Sequence, residues 1–161
     1  MEYSREVFLW QQTYATLFSV SNKLQICMDK DMGLMTSRQV MALVAVIHLP
    51  KGEASLINIA KKMGTTKQNV RQLVSAMEKK GYVSVAPSLT DKRAYSVEMT
   101  EEGQRVFADC YMRGLAFFET LFHDFSVDEL DVFWAMLKKL YRFDGKEQDG
   151  FEEPADFHYE G

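Results

Sequence analysis

The stretch "LINIAKKMGTTKQNVRQLVSAMEKKG" (56–81) narrows the choice of fold more than any other part of the chain. It reads as two short helices parted by a glycine. In the first, Leu56 or Ile57 joins Ile59, Ala60 and Met63 on an apolar side, with Ser55 placed to cap the start. Gly64 ends that helix where a positive φ is favoured. In the second, Thr65 or Thr66 stands at the cap, Val70, Leu73, Val74 and Met77 form the apolar stripe, and Gly81 closes it. Helices this short are marginal alone, so each must pack on the other and on further elements. The face left over on the second helix carries Thr66, Lys67, Gln68, Asn69, Arg71, Gln72 and Ser75. These are hydroxyls, amides and bases, and Glu78 is the one acid of the whole stretch.

The overall charge makes that face unusual. The chain holds 19 Lys+Arg against 23 Asp+Glu, yet residues 61–93 carry eight bases against two acids. Residues 144–161 are the reverse, with seven acids against Lys146 alone. A basic centre in an acidic chain points to a local polyanion site rather than a generally sticky surface.

The flanking sequence supplies the rest of the fold. Residues 4–30 read as one long helix. Trp10, Tyr14, Leu17, Phe18, Leu24 and Met28 mark one apolar strip, and Phe8, Val20, Ile26 and Cys27 mark a second on the opposite side. A helix apolar on two sides must be covered twice, which hints at a dimer partner. After Gly33, "TSRQ" (36–39) is a capping box opening a helix that buries Val40, Leu43, Val44 and Ile47 and stops before Pro50. Beyond Gly81, "YVSVA" (82–86) and "YSVEMT" (95–100) read as the strands of a hairpin. In the second strand Tyr95, Val97 and Met99 are expected on one face, Ser96 and Glu98 on the other. The polar, basic segment "PSLTDKRA" is the hairpin's long tip.

Two helices follow. Thr100 caps the first, Glu101 and Glu102 suit the positive end of its macrodipole, and Phe107, Cys110, Tyr111, Phe118, Leu121, Phe122 and Phe125 make its apolar side. "SVDE" (126–129) opens the second, striped by Leu130, Phe133, Trp134, Leu137 and Tyr141. The acidic end, rich in Gly and acids, reads as a flexible arm. It can fold back on the basic lobe as a phosphate mimic, or pack on a dimer mate through Phe151, Phe157 and Tyr159.

Two short helices around a glycine turn, followed at once by a hairpin, make a winged helix-turn-helix. The fold class is therefore mainly α with a small β-hairpin wing. The divisions expected are an N-terminal arm (1–34), a winged helix-turn-helix lobe (35–100), C-terminal dimerisation helices (101–145) and an acidic tail (146–161). An exposed helix fits the major groove of double-stranded DNA, where amides pair with adenine edges and bases with guanine.

Ala60, Gly64 and Val70 fall at the spacing that helix-turn-helix units show at their interlocking core, and "DKRAYSVEMTEEG" (91–103) has a distinctive wing pattern. In these features the chain resembles the MarR family of bacterial transcription regulators. That family's wing reads Asp, any residue, Arg, then a strand ending in Leu-Thr-x-x-Gly. Met99 stands here where Leu is usual and keeps the position apolar. The resemblance implies a homodimer whose second helices enter successive major grooves, with half-sites about 10 base pairs apart. It implies that Arg93 enters the minor groove, that Asp91 braces it, and that Lys92 meets phosphate. It further implies a repressor released by a small hydrophobic or phenolic effector lodged between arms and lobe. Tyr14, Phe18, Val44, His48, Phe107 and Tyr111 could line such a crevice, and they read more readily as ordinary core.

Other function classes find less support. The exposed basic and amide face argues against a winged-helix module that binds protein, which would more often be apolar there. Cys27 and Cys110 do not make a disulfide framework in a chain of 161 residues. A thiol-based redox sensor is the alternative they raise, but Cys27 lies near Asp29 and Asp31 and Cys110 on an apolar face, so both read as inert thiols. His48, His123 and His158 lie in separate elements, so neither a metal nor another cofactor is expected. No catalytic set is visible, "GTTK" (64–67) is too short for a phosphate loop, and no enzyme is expected. Acids in the first residues speak against a secretory leader, and no run approaches the roughly 18 apolar residues of a membrane span. A cytoplasmic protein without membrane contact is the expectation.

Overall fold

The computed structural model describes residues 4–88, 94–147 and 151. Among these, six helices and one hairpin follow in the order α1 (Arg5–Asp31), α2 (Ser37–Ile47), α3 (Leu56–Met63), α4 (Lys67–Lys79), β1 (Val83–Pro87), β2 (Tyr95–Met99), α5 (Glu101–Leu121) and α6 (Val127–Tyr141), with a 3-10 turn at Arg142–Asp144. Every helix starts at a hydroxyl. Ser4, Thr36, Ser55, Thr66, Thr100 and Ser126 each accept a backbone N–H three residues on, which satisfies a donor the helix cannot. Thr36 with Gln39 and Ser126 with Glu129 form complete capping boxes.

One core sits where α2, α3, α4, the hairpin and the first half of α5 meet. Leu43, Ile59, Val70, Met77 and Phe107 are fully enclosed there. The strands pair antiparallel in the register Val83↔Met99 to Pro87↔Tyr95. On the outer edge of β2, the Val97 N–H donates to the carbonyl of Ala54 (2.9 Å), so the loop before α3 lies along the hairpin. The alternation expected in β2 holds at Val97, Glu98 and Met99 and fails at its outer end. Tyr95 is exposed and Ser96 is buried. Tyr95 pairs with Pro87, beyond the reach of the core, whereas Ser96 lies beside the edge that residues 52–54 cover.

The joint between hairpin and α5 is tight. The Thr100 N–H donates to the Tyr82 carbonyl (3.0 Å), and a Cβ built on Gly103 would overlap that same carbonyl. At the other end of the lobe, the Ser37 N–H donates to Asp29 Oδ1 (2.6 Å), tying α2 to the last turn of α1.

The long helices behave differently from the lobe. Neither α1 nor α6 buries any residue fully in the single chain. Leu24, Cys27 and Met28 are half-covered by the lobe, while Phe8, Trp10, Tyr14, Phe18, Val20 and Ile26 remain exposed. Of the apolar side expected on α5, Phe107 and Cys110 are buried, but Tyr111, Phe118 and Phe125 are exposed.

Candidate nucleic-acid interface

The face of α4 follows from its helical period. Val70, Val74 and Met77 point inward and are buried, with Leu73 half-buried beside them. That leaves Thr66, Lys67, Gln68, Asn69, Arg71, Gln72 and Ser75 exposed on the other side. Thr66 Oγ1 accepts the Asn69 N–H (3.2 Å), and Asn69 Nδ2 donates to Thr65 Oγ1 (3.0 Å). The amide of Asn69 thus braces the turn into α4 while staying open to solvent. Gly64 makes that turn with φ 62°, a left-handed conformation that a side chain would strain. Asp91, Lys92 and Arg93 lie outside the described residues; β1, the strand that precedes them, follows α4 in the chain and packs against it.

The surface can therefore offer amide and guanidinium donors to base edges and ammonium groups to phosphate, all on one rigid helix. Lys61 and Lys79 add exposed bases on the same lobe.

The six aromatic and aliphatic residues expected at a crevice differ widely in exposure. Phe107 is fully buried with the Tyr111 ring tilted against it (6.2 Å), Val44 and His48 are half-buried on α2, and Tyr14 and Phe18 are exposed on α1. The His48 ring donates from Nδ1 to the Val44 carbonyl (2.7 Å), since a carbonyl can only accept. A cavity of about 520 Å³ does lie between α1, α2 and the helix-turn-helix, but none of the six lines it. Leu24, Met28, Met41, Met63 and Leu73 form its apolar walls, and Ser37, Arg38 and Lys62 supply its polar ones. Met63 and Leu73 belong to the apolar stripes read from the sequence; they are half-buried because they face this space.

Sequence reasoning did not single out the contacts that Tyr141 and Phe151 make with the lobe. Tyr141 covers Gly64, and its hydroxyl donates to the Lys61 carbonyl (3.5 Å). Phe151 packs edge-on to His48 (5.4 Å) with Lys62 Nζ over its ring (5.8 Å). An aromatic inside an acidic run, as at Phe157 and Tyr159, was the available signal for Phe151. Cys110 is buried, its thiol donates to the Met32 carbonyl (3.0 Å), and burial pushes its pKa up, which disfavours the thiolate.

A two-helix unit with an outward second helix and a hairpin beside it defines a winged helix-turn-helix protein. Residues 35–94 match the model of the MarR family. Relatives include the uncharacterized HTH-type transcriptional regulator YfiV of Bacillus subtilis, 33% identical over 63 residues that make up 39% of each chain. The HTH-type transcriptional regulator PapX of Escherichia coli is 26% identical over 51% of this chain and 50% of its own. The chain thus spans half or less of the length of these two relatives. The HTH-type transcriptional repressor YetL of Bacillus subtilis is 24% identical over 81% of this chain and 79% of its own. Among solved structures, a MarR/EmrR family transcriptional regulator from Acinetobacter sp. ADP1 shares the fold with a TM-score of 0.73, at 23% identity over 84% of this chain and 97% of that one. FabT of Streptococcus pneumoniae, solved in complex with DNA, does so at 0.62, with 20% identity over 85% and 99%. No helix among the described residues is long and apolar enough to cross a membrane.

Proposed function

We propose that the protein is a homodimeric, sequence-specific regulator of transcription that binds double-stranded DNA. The observation carrying this reading is the single exposed face of α4, where Lys67, Gln68, Asn69, Arg71 and Gln72 stand together with Ser75 above a buried stripe. Two copies would set two such helices in successive major grooves, about 10 base pairs apart. Asp91, Lys92 and Arg93 are assigned to the wing tip, with Arg93 reading minor-groove width and Lys92 holding phosphate. Regions 1–34 and 101–145 are assigned to dimerisation, because Trp10, Phe18, Phe133, Trp134 and Leu140 leave apolar rings and chains exposed on α1 and α6.

The regulator is read as a repressor that a small hydrophobic molecule releases. The cavity of about 520 Å³ between α1, α2 and the α3–α4 turn is large enough for such an effector. It touches both an arm and the recognition helix, so a ligand there would bias their relative position. No enzymatic activity belongs to this reading.

The test is an anisotropy titration against DNA from upstream of the protein's own gene at several salt concentrations, beside Arg71→Ala and Arg93→Ala. Site-selective binding should weaken linearly in log salt, by about 0.9 per phosphate contact. Arg71→Ala should relax base preference, and Arg93→Ala should weaken binding most at A·T-rich flanks. Binding indifferent to sequence in the unaltered protein would defeat the reading.

A further inference from the structure

The apolar stripe of α6 runs through Leu130, Trp134, Leu137 and Tyr141, and it is covered unevenly. Trp134 and Leu137 are exposed, while Tyr141, at the end of the helix, is half-buried against the lobe. Its ring lies on the turn that leads into α4, where a Cβ added at Gly64 would stand 3.4 Å from it. Its hydroxyl donates to the Lys61 carbonyl (3.5 Å), one of the last four carbonyls of α3, which a helix alone leaves unsatisfied. Two residues beyond Gly64, Thr66 caps α4. Tyr141 thus grips the turn that sets the direction of α4.

The ring has open space on both sides. It stands between the cavity of about 520 Å³ and a cleft of about 940 Å³, and both spaces reach Gly64, Thr65 and Tyr141. Among the described residues, Tyr141 is the one α6 side chain that lines either space. At this joint the end of α6 therefore meets the turn through one ring and one hydroxyl. The helix itself has 15 residues and is about 22 Å long. Its exposed Phe133, Trp134 and Leu140 belong to the surface assigned above to dimerisation. One rigid helix joins that surface to the turn before α4.

We propose that Tyr141 is a positioning residue for DNA recognition: it fixes the angle between α6 and the lobe, and so sets which half-site spacing the protein accepts. This rests on the DNA-binding homodimer proposed above. One base pair more or less moves a half-site by about 3.4 Å along the duplex and turns it by about 34°. A braced lobe cannot follow that change, so only one α4 of the pair engages. An unbraced lobe can swing to meet it. Base preference resides in the side chains of α4, so loss of the brace changes spacing tolerance without changing the half-site sequence.

The experiment first selects duplexes on the full chain from a library with a random core of about 30 base pairs, three helical turns. The enriched sequences give the half-site and its spacing. Binding to the selected duplex is then titrated beside duplexes with one base pair added or removed between the half-sites, for the full chain, Tyr141→Ala and Tyr141→Phe. The unaltered protein should prefer its own spacing by about 100-fold, the gain from engaging two linked half-sites instead of one. Tyr141→Ala should narrow that preference to about tenfold or less, with the selected half-site sequence unchanged. Tyr141→Phe keeps the ring on Gly64 and should retain most of the preference. Should Tyr141→Ala not fold, Tyr141→Leu takes its place, since it stays apolar but does not reach the Lys61 carbonyl. The same preference in every protein, or a loss of affinity equal at all spacings, would overturn the proposal. If the full chain enriches no paired half-sites, the DNA-binding reading itself fails, and the positioning role falls with it.

Discussion

The winged lobe and the long helices that flank it are built from similar proportions of apolar residues, but they spend them differently. Between Met32 and Cys110 every element contributes to one closed core. On α1 and α6 aromatic and aliphatic side chains of the same kinds stay in contact with solvent, among them Trp10, Phe18, Phe133 and Trp134. The lobe closes on itself, whereas the flanking helices carry apolar area that stays exposed among the described residues. Apolar stripes of this size on a folded chain mark an interaction surface.

The sharpest way to break the comparison is at Phe107. Fully enclosed in the lobe, it should cost about 3–5 kcal/mol of unfolding free energy when changed to Ala. Urea denaturation reads this, and a loss below about 1 kcal/mol would mean that the core collapses onto the gap. On the flanking side, Trp134→Ala removes a ring that is 46% exposed and carries Lys138 Nζ 3.9 Å above it. For an isolated chain that change is nearly neutral; at a dimer interface it should cost about 2 kcal/mol, or roughly a 30-fold weaker association. Sedimentation equilibrium separates the two cases. Thr66→Ala tests the meeting point of fold and function. Loss of its cap should lower stability by about 1 kcal/mol by thermal melting, and should weaken DNA binding because the end of α4 frays.

The smallest effect concerns pH. The Ser126 backbone N–H, and then its hydroxyl, hold the Glu129 carboxyl below the usual carboxylate range. A lowered folded-state pKa stabilises at neutral pH, and that contribution fades as pH falls through the ordinary carboxylate range and the lowered value. Melting Glu129→Gln beside the unaltered protein should show a small deficit near pH 7 that vanishes in strong acid. A deficit that grows on acidification would contradict the cap.

Much of this division was legible in the sequence, for identifiable reasons. Hydroxyls at 36, 55, 100 and 126, and one of the pair at 65 and 66, announced helix starts because a helix end needs a partner for its free N–H groups, whereas the cap at Ser4 was not singled out. The outward face of α4 was readable because Val70, Val74 and Met77 fix which side is turned in. Helical period says which side of a helix is apolar, but it does not say what covers that side. Tyr14 and Phe18 were therefore grouped with Phe107, although one chain leaves them exposed and buries the other. Nor does period reach across such distances in the chain, so it gave no partner for Tyr141, which sits on Gly64, or for Phe151, which sits on His48. Ser96 was misplaced for a related reason. Alternation along a strand assumes a uniform core beside it, and this hairpin runs past the end of its core.

The missing side chain at Gly103 has a mechanical consequence. With no room for even a methyl group against the Tyr82 carbonyl, the base of the wing and the first turn of α5 are packed backbone against backbone. On the proposed reading, α4 is then not re-aimed by flexing at that joint. In the proposed dimer the gap between the two α4 helices would be set where the arms meet, as the opening of a pair of calipers is set at the pivot and not at the jaws.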